Sequence, residues 1–260
     1  MPAWFRRLRM PSFPPAVSTI ASICVAVYVA QVLSARVLVD ANVVIEQKFI
    51  VHAGVPLSGV LSQSFGVYWP AMKSGAIWQP VTYAFLHGSF WHLFFNVFTI
   101  LFFGAAVENY IGTGRFWRLF LFSIVVGGLG WMLIDIVEPR FWGWMASRTA
   151  PWCRALAQRW GEHQPAGMVY GTCIGASAGV CGLIGAFATL FPRNIVQLFL
   201  FGVIPMKIQA RFLALGYALI SIGGMIASSG HIAHSAHLVG LLAGFIWVRA
   251  YLRRYRSLYA

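Results

Sequence analysis

Six apolar runs, at Ala16–Val37, Trp91–Val107, Phe116–Val137, Ala178–Phe191, Phe212–Ser228 and Ala233–Val248, leave this chain few ways to fold. Runs approaching about 20 residues match the hydrocarbon thickness of a bilayer. Inside lipid the backbone must satisfy its own hydrogen bonds, so only helices and closed barrels cross it. The predicted fold class is therefore all-α, a polytopic membrane bundle of six helices. Composition excludes the soluble alternative, because 59% of residues are hydrophobic, 10% are charged and the mean hydropathy is +0.73. A soluble fold has no means of hiding that much apolar surface. No internal repeat or low-complexity tract divides the chain, and residues 1–260 are expected to form a single membrane domain with short tails.

The formal net charge is +13, from 19 Lys and Arg against 6 Asp and Glu. In a soluble chain such an excess would point to nucleic acid. Here the basic residues bracket the apolar runs, so they read as topology signals and no nucleic-acid partner is expected. Arg6, Arg7 and Arg9, then Arg115 and Arg118, Arg193, Lys207 and Arg211, and finally Arg249, Arg253, Arg254 and Arg256 fall on one side of a six-helix path. That side is expected to be cytoplasmic and to hold both termini, with the first apolar run retained as a helix. Arg140, Arg148, Arg154 and Arg159 fall opposite, in a long loop that also carries Glu138 and Glu162. Long loops weigh little in the charge rule.

Two outer segments, Leu38–Ser89 and Glu138–Gly175, are too long to be turns. The second interleaves Phe141, Trp142, Trp144, Trp152 and Trp160 with arginines, as expected of a segment lying in the headgroup layer. On the other side Ile195–Ile204, ended by Pro205, is apolar but too short to cross. Cys24 and Cys181 lie within spans and read as small packing residues. Cys153 and Cys173 flank the outer loop and are candidates for a disulfide in an oxidising compartment.

Polar groups within spans are costly and therefore mark function. Gly175-Ala176-Ser177-Ala178-Gly179 places a serine at the mouth of the fourth helix. No strand precedes it, so a nucleophile there would work from a helix end rather than from a strand-to-helix elbow. His237 lies in the last helix, with Gly240 and Gly244 on the same side at helical spacing. The fourth helix offers a matching stripe of Ala178, Cys181, Gly182 and Gly185 beside Ser177. Two small-residue faces packed together would bring Ser177 and His237 within hydrogen-bond reach. Plain helix packing around one buried imidazole would leave the same pattern. His92 and Asn96 share one face of the second helix.

Depth links these residues. At ~1.5 Å per residue, Ser177 lies ~24 Å above Arg193, His237 ~18 Å above Arg249 and Asn96 ~18 Å above Glu108. All three reach a similar level, within the outer half of a hydrocarbon core of ~30 Å. The acids are only Asp40, Glu46, Glu108, Asp135, Glu138 and Glu162, and none is placed beside His237. The chemistry expected is a Ser–His dyad with its base oriented by packing and aromatic contacts. Neither a metal nor a cofactor is expected. His231, His234 and His237 are spaced by three, but the first two fall at the outer entry of the helix and acidic ligands are absent.

From Trp78 to the last helix, the order of these residues resembles the rhomboid family of intramembrane serine proteases. The resemblance rests on His92-x-x-x-Asn96 with His87 upstream, Glu108, the Gly112/Gly114 turn, the serine motif, and Ala236-His237-x-x-Gly240-x-x-x-Gly244. It implies a rhomboid-like bundle with interfacial outer loops, acting on single-pass membrane protein substrates within the lipid bilayer. It further implies Ser177 as nucleophile, His237 as base, and an oxyanion hole from the His92 and Asn96 side chains with the Ser177 backbone N–H. Gly175 matches the family glycine whose missing side chain leaves room for substrate backbone. By the same analogy the setting is a bacterial inner membrane. The family's Trp-Arg pair reads Trp78-Gln79 here, which points to a difference in the anchoring or opening of the first outer loop. The alternatives are a catalytically inactive relative that binds membrane proteins, and a small transporter, whose paired broken helices are not visible.

Overall fold

The computed structural model describes residues 13–45, 49–148, 172–200, 204–226 and 233–259. Arg6, Arg7, Arg9, Trp152, Trp160 and His231 lie outside these residues, as does Cys153 with its suggested disulfide to Cys173.

The fold is a polytopic helical bundle. Helix α1 runs over Pro15–Ser34. An antiparallel hairpin follows, β1 at Leu38–Ile45 and β2 at Phe49–Pro56. Three short helices, α2 at Leu57–Phe65, α3 at Trp69–Lys73 and α4 at Gln79–Thr82, complete the first outer segment. Helix α5 covers Phe90–Ile111 and carries a π turn at Ile100–Gly104. Helix α6 spans Thr113–Arg148, α7 Ser177–Leu190, α8 Ala210–Ile226 and α9 His234–Tyr259. A second hairpin, β3 at Ile195–Leu200 with β4 at Ile204–Gln209, joins α7 to α8. Among the described residues, four helices are long and apolar enough to cross a membrane, and α7 and most of α8 are shorter apolar helices.

Two features differ from the sequence expectation. The third long helix continues past Val137 to Arg148, so at ~1.5 Å per residue it is ~54 Å long and outruns the hydrocarbon core. The aromatic run after Val137 thus begins as helix. Within the helical class, the hairpins occupy two connections read only as outer segment and short inner run. Seven of the 16 residues of β1 and β2 are β-branched, which suits extended pairing.

Helix α7 is the centre of the bundle. Every residue from Ala178 to Phe187 is buried, so the helix is apolar on all sides and walled by protein. Its 14 residues span ~21 Å, short of the ~30 Å core. Around it pack Ile20, Ile100, Phe116, Leu119, Phe120 and Ile124, all fully buried. Large apolar side chains on the outer faces, such as Phe95, Phe98, Leu219, Ile220 and Ile246, are exposed, as a lipid-facing surface requires. Against α9 the contact is backbone to backbone. A Cβ on Gly240 would run into the Ala178 carbonyl, and one on Gly244 into the Gly182 carbonyl.

A buried carboxylate ties the first helix to the rest. Helix α1 has no side-chain cap from its own sequence, and Pro15 opens it. The cap comes from 91 and 92 residues away: Glu108 accepts the Val17 N–H at 2.8 Å and the Ala16 N–H at 3.0 Å, while Thr113 donates its hydroxyl to the same carboxylate at 2.7 Å. Glu108 is only 2% exposed, so the donors lose their partner if it is removed. Glu108→Ala is expected to cost about 2–4 kcal/mol for two buried N–H groups. Glu108→Gln, which keeps one acceptor, should cost less. Thermal unfolding in detergent micelles checks this order; equal midpoints for wild type and Glu108→Ala would contradict it.

Candidate active site

Three backbone hydrogen bonds pin the chain on its way into α7. Val67 and Cys173 exchange both backbone hydrogen bonds at 3.0 Å, forming an isolated antiparallel bridge. The Gly175 N–H donates to the Tyr83 carbonyl at 2.8 Å. Gly175 itself has φ +117, a left-handed conformation that a side chain would strain. The helix then begins at Ser177, and Ala176 before it offers no side-chain cap. First-turn N–H groups of a helix lack intrahelical acceptors, so donors remain near the serine.

His237 reaches Ser177 from α9. Its Nε2 lies 2.8 Å from the serine Oγ, across 60 residues of sequence. In the tautomer with its proton on Nδ1, the imidazole accepts the serine hydroxyl through Nε2. Among the described residues no carboxylate bonds to the His237 ring. Both side chains are half-buried. The glycine seam sets this distance, since His237 is one turn above Gly240 and Ser177 immediately precedes Ala178.

His92 and Asn96 face inward from the first half of α5. Ser89 caps the helix by accepting the His92 N–H at 3.2 Å. The His92 ring lies against Gly175, where a Cβ would come within 2.6 Å of its Nε2. A side chain at position 175 would therefore meet the His92 ring. Asn96 is buried, and its amide donates to the His92 carbonyl at 2.7 Å rather than to Ser177. The structure therefore brings Ser177 to His237 and His92 to Gly175, while the Asn96 hydrogen bond stays within α5.

Three supporting residues were not singled out as such from sequence. His87, noted only as upstream of the pair, packs its ring edge-on to His92 at 5.1 Å, and its N–H donates to the Gln31 side chain on α1 at 3.0 Å. Burial, and then the nearby His92 ring, push the His87 imidazole down to about 4, so it is neutral at neutral pH. Tyr83 donates its hydroxyl to the Ile124 carbonyl at 2.7 Å, fixing the segment that receives Gly175. Gln79, where an arginine was expected, is fully buried. It accepts the Tyr68 N–H at 3.0 Å and donates to the Gln63 and Ser64 carbonyls at 3.1 and 3.3 Å. A neutral amide thus anchors the first outer loop through three backbone groups. Polar residues in apolar surroundings were the available signal for all three.

Comparison with known proteins gives consistent results. The Rhomboid domain family model matches residues 74–254, well over half of the chain. Rhomboid-like protease 1 of Toxoplasma gondii is 35% identical over 75 residues, covering 29% of this chain and 26% of that protein. Rhomboid protein 1, mitochondrial, of Saccharomyces cerevisiae is 27% identical over 164 residues, covering 63% of this chain and 39% of that protein. A putative rhomboid protease of Bacillus subtilis is 34% identical over 59 residues, 23% of this chain and 30% of that protein. The matches thus span well under half the length of each relative.

Proposed function

The chain belongs to the rhomboid family, and on that premise we propose that it is an intramembrane serine endopeptidase that cuts membrane-spanning segments of other membrane proteins with a Ser177–His237 dyad. The observation that carries this reading is the 2.8 Å contact between Ser177 Oγ and His237 Nε2 at the buried end of α7. The names of two relatives, which include the word protease, add support.

In the proposed reaction a substrate segment enters laterally between helices and unwinds, because an intact helix keeps its carbonyls in internal hydrogen bonds. Ser177 Oγ attacks a backbone carbonyl carbon while His237 Nε2 takes the hydroxyl proton. The tetrahedral oxyanion is held by the Ser177 N–H with the His92 and Asn96 side chains, which requires the Asn96 amide to turn from the His92 carbonyl. His237 then returns the proton to the departing amine, leaving an acyl ester on Ser177. Water, deprotonated by the same imidazole, hydrolyses the ester and restores the serine. The similar depth of Ser177, His237 and Asn96, counted along their helices, supports a site within the bilayer.

The proposed topology reads residues 1–260 as one rhomboid-type membrane domain with both termini cytoplasmic, in a bacterial inner membrane. Its support is the row of Arg115, Arg118, Arg193, Lys207, Arg211 and Arg249 at one side of the helical path. The test of function is cleavage of a transmembrane reporter by purified protein in liposomes. Wild type should cut and Ser177→Ala should not. A folded wild type that is silent across several reporters would favour the inactive binding factor, and cleavage by both would overturn Ser177 as nucleophile.

A further inference from the structure

A base without a carboxylate partner still has to be aimed. The χ2 torsion of histidine is broad, so an imidazole held only by its serine contact would swing away from it. Tyr217, on α8, faces the His237 ring with centroids 6.1 Å apart and planes inclined by 50°. Its hydroxyl lies beside the Cys181 thiol. Cys181 is fully buried on α7, one helical turn below Ser177 and on the same face. Three helices therefore close a ring of contacts: Ser177 and Cys181 from α7, Tyr217 from α8, His237 from α9. The other ring on His237 is His234, from its own helix, edge-on at 6.3 Å.

We propose that Tyr217 is a positioning residue for the base, backing the His237 imidazole so that Nε2 stays directed at Ser177, with Cys181 holding the phenol in place. This rests on the Ser177–His237 reading. The phenol has a second use once the proton moves, because an aromatic face attracts the imidazolium that forms in the transition state. The thiol contact explains why a cysteine stands one turn from the serine, away from the glycine seam that joins α7 to α9. Because α8 is an outer helix, with Leu215, Leu219 and Ile220 exposed, the alignment of the base depends on a helix at the edge of the bundle.

The test compares wild type, Tyr217→Leu, Tyr217→Phe and Cys181→Ala in liposomes. It reads kcat and KM on a transmembrane reporter, the fluorophosphonate labelling rate of Ser177, and the unfolding midpoint of each preparation. Tyr217→Leu should lower kcat and the labelling rate together by ~10- to 100-fold, with KM changed less than about twofold. Tyr217→Phe, which keeps the ring but loses the hydroxyl, should lower kcat and the labelling rate by only ~2- to 5-fold, and Cys181→Ala should match it because both remove the same contact. The proposal is overturned if Tyr217→Leu labels at the wild-type rate, whatever happens to cleavage. It is also overturned if Tyr217→Phe and Cys181→Ala both label at the wild-type rate, a comparison that stands even if Tyr217→Leu does not fold. If wild type is not labelled at all, the dyad reading falls and this inference falls with it. Labelled wild type with unaffected variants removes only the inference.

Discussion

Alanine at position 237 is expected to lower kcat for transmembrane-reporter cleavage by about 10⁴- to 10⁶-fold, the scale seen when a serine hydrolase loses its base. The reason is local. Among the described residues Ser177 Oγ is hydrogen-bonded to His237 Nε2, and no carboxylate bonds to the imidazole to share its task. The fold should survive, because His237 is only half-buried and the seam below it is made by Gly240 and Gly244. The checks are cleavage rates in liposomes beside unfolding midpoints in detergent. A folded His237→Ala protein within tenfold of wild type would remove His237 as the base.

Valine in place of Gly244 should cost the fold about 3 kcal/mol or more, since overpacking a tight contact displaces backbone rather than a flexible side chain. The Cβ would meet the Gly182 carbonyl and the carbon behind it, on the helix that starts with Ser177. Either α9 moves outward or α7 does, and both movements separate His237 from Ser177. Loss of activity should therefore accompany loss of stability. Gly216→Val and Gly223→Val on α8 are the controls, because a Cβ there meets nothing within 4 Å. Equal unfolding midpoints for Gly244→Val and Gly216→Val would show that the seam is looser than described.

Both expectations trace back to features visible in the sequence. The six apolar runs lie in helices, four of them long enough to cross a membrane, because thickness and backbone satisfaction in lipid leave little choice. The small-residue stripes of α7 and α9 were legible for a related reason: close packing without a hydrophobic drive needs glycine and alanine at helical spacing. Their meeting set Ser177 beside His237. What escaped the sequence is non-local or not periodic. Glu108 served as a depth marker and as part of the family resemblance, and nothing in the spacing says that it caps a helix 92 residues earlier. Tyr217 looked like one aromatic among many in an apolar run, and only the crossing of α8 with α7 and α9 gives its hydroxyl a partner and its ring a neighbour. Gln79 read as a lost charge, whereas its buried amide carries three hydrogen bonds to the first outer loop. The hairpins and the extension of α6 to Arg148 lie where interface chemistry permits helix, strand or loop, so hydropathy does not choose among them.

The central claim is that Ser177 is made nucleophilic by His237, and the most direct measurement of it is active-site labelling. Wild-type protein and His237→Ala are reconstituted, treated with a fluorophosphonate, and the adduct is mapped by mass spectrometry. The account predicts one adduct, on Ser177, in wild type and a labelling rate lower by orders of magnitude in His237→Ala. Equal labelling of Ser177 in both, or an adduct on a different serine, would contradict it.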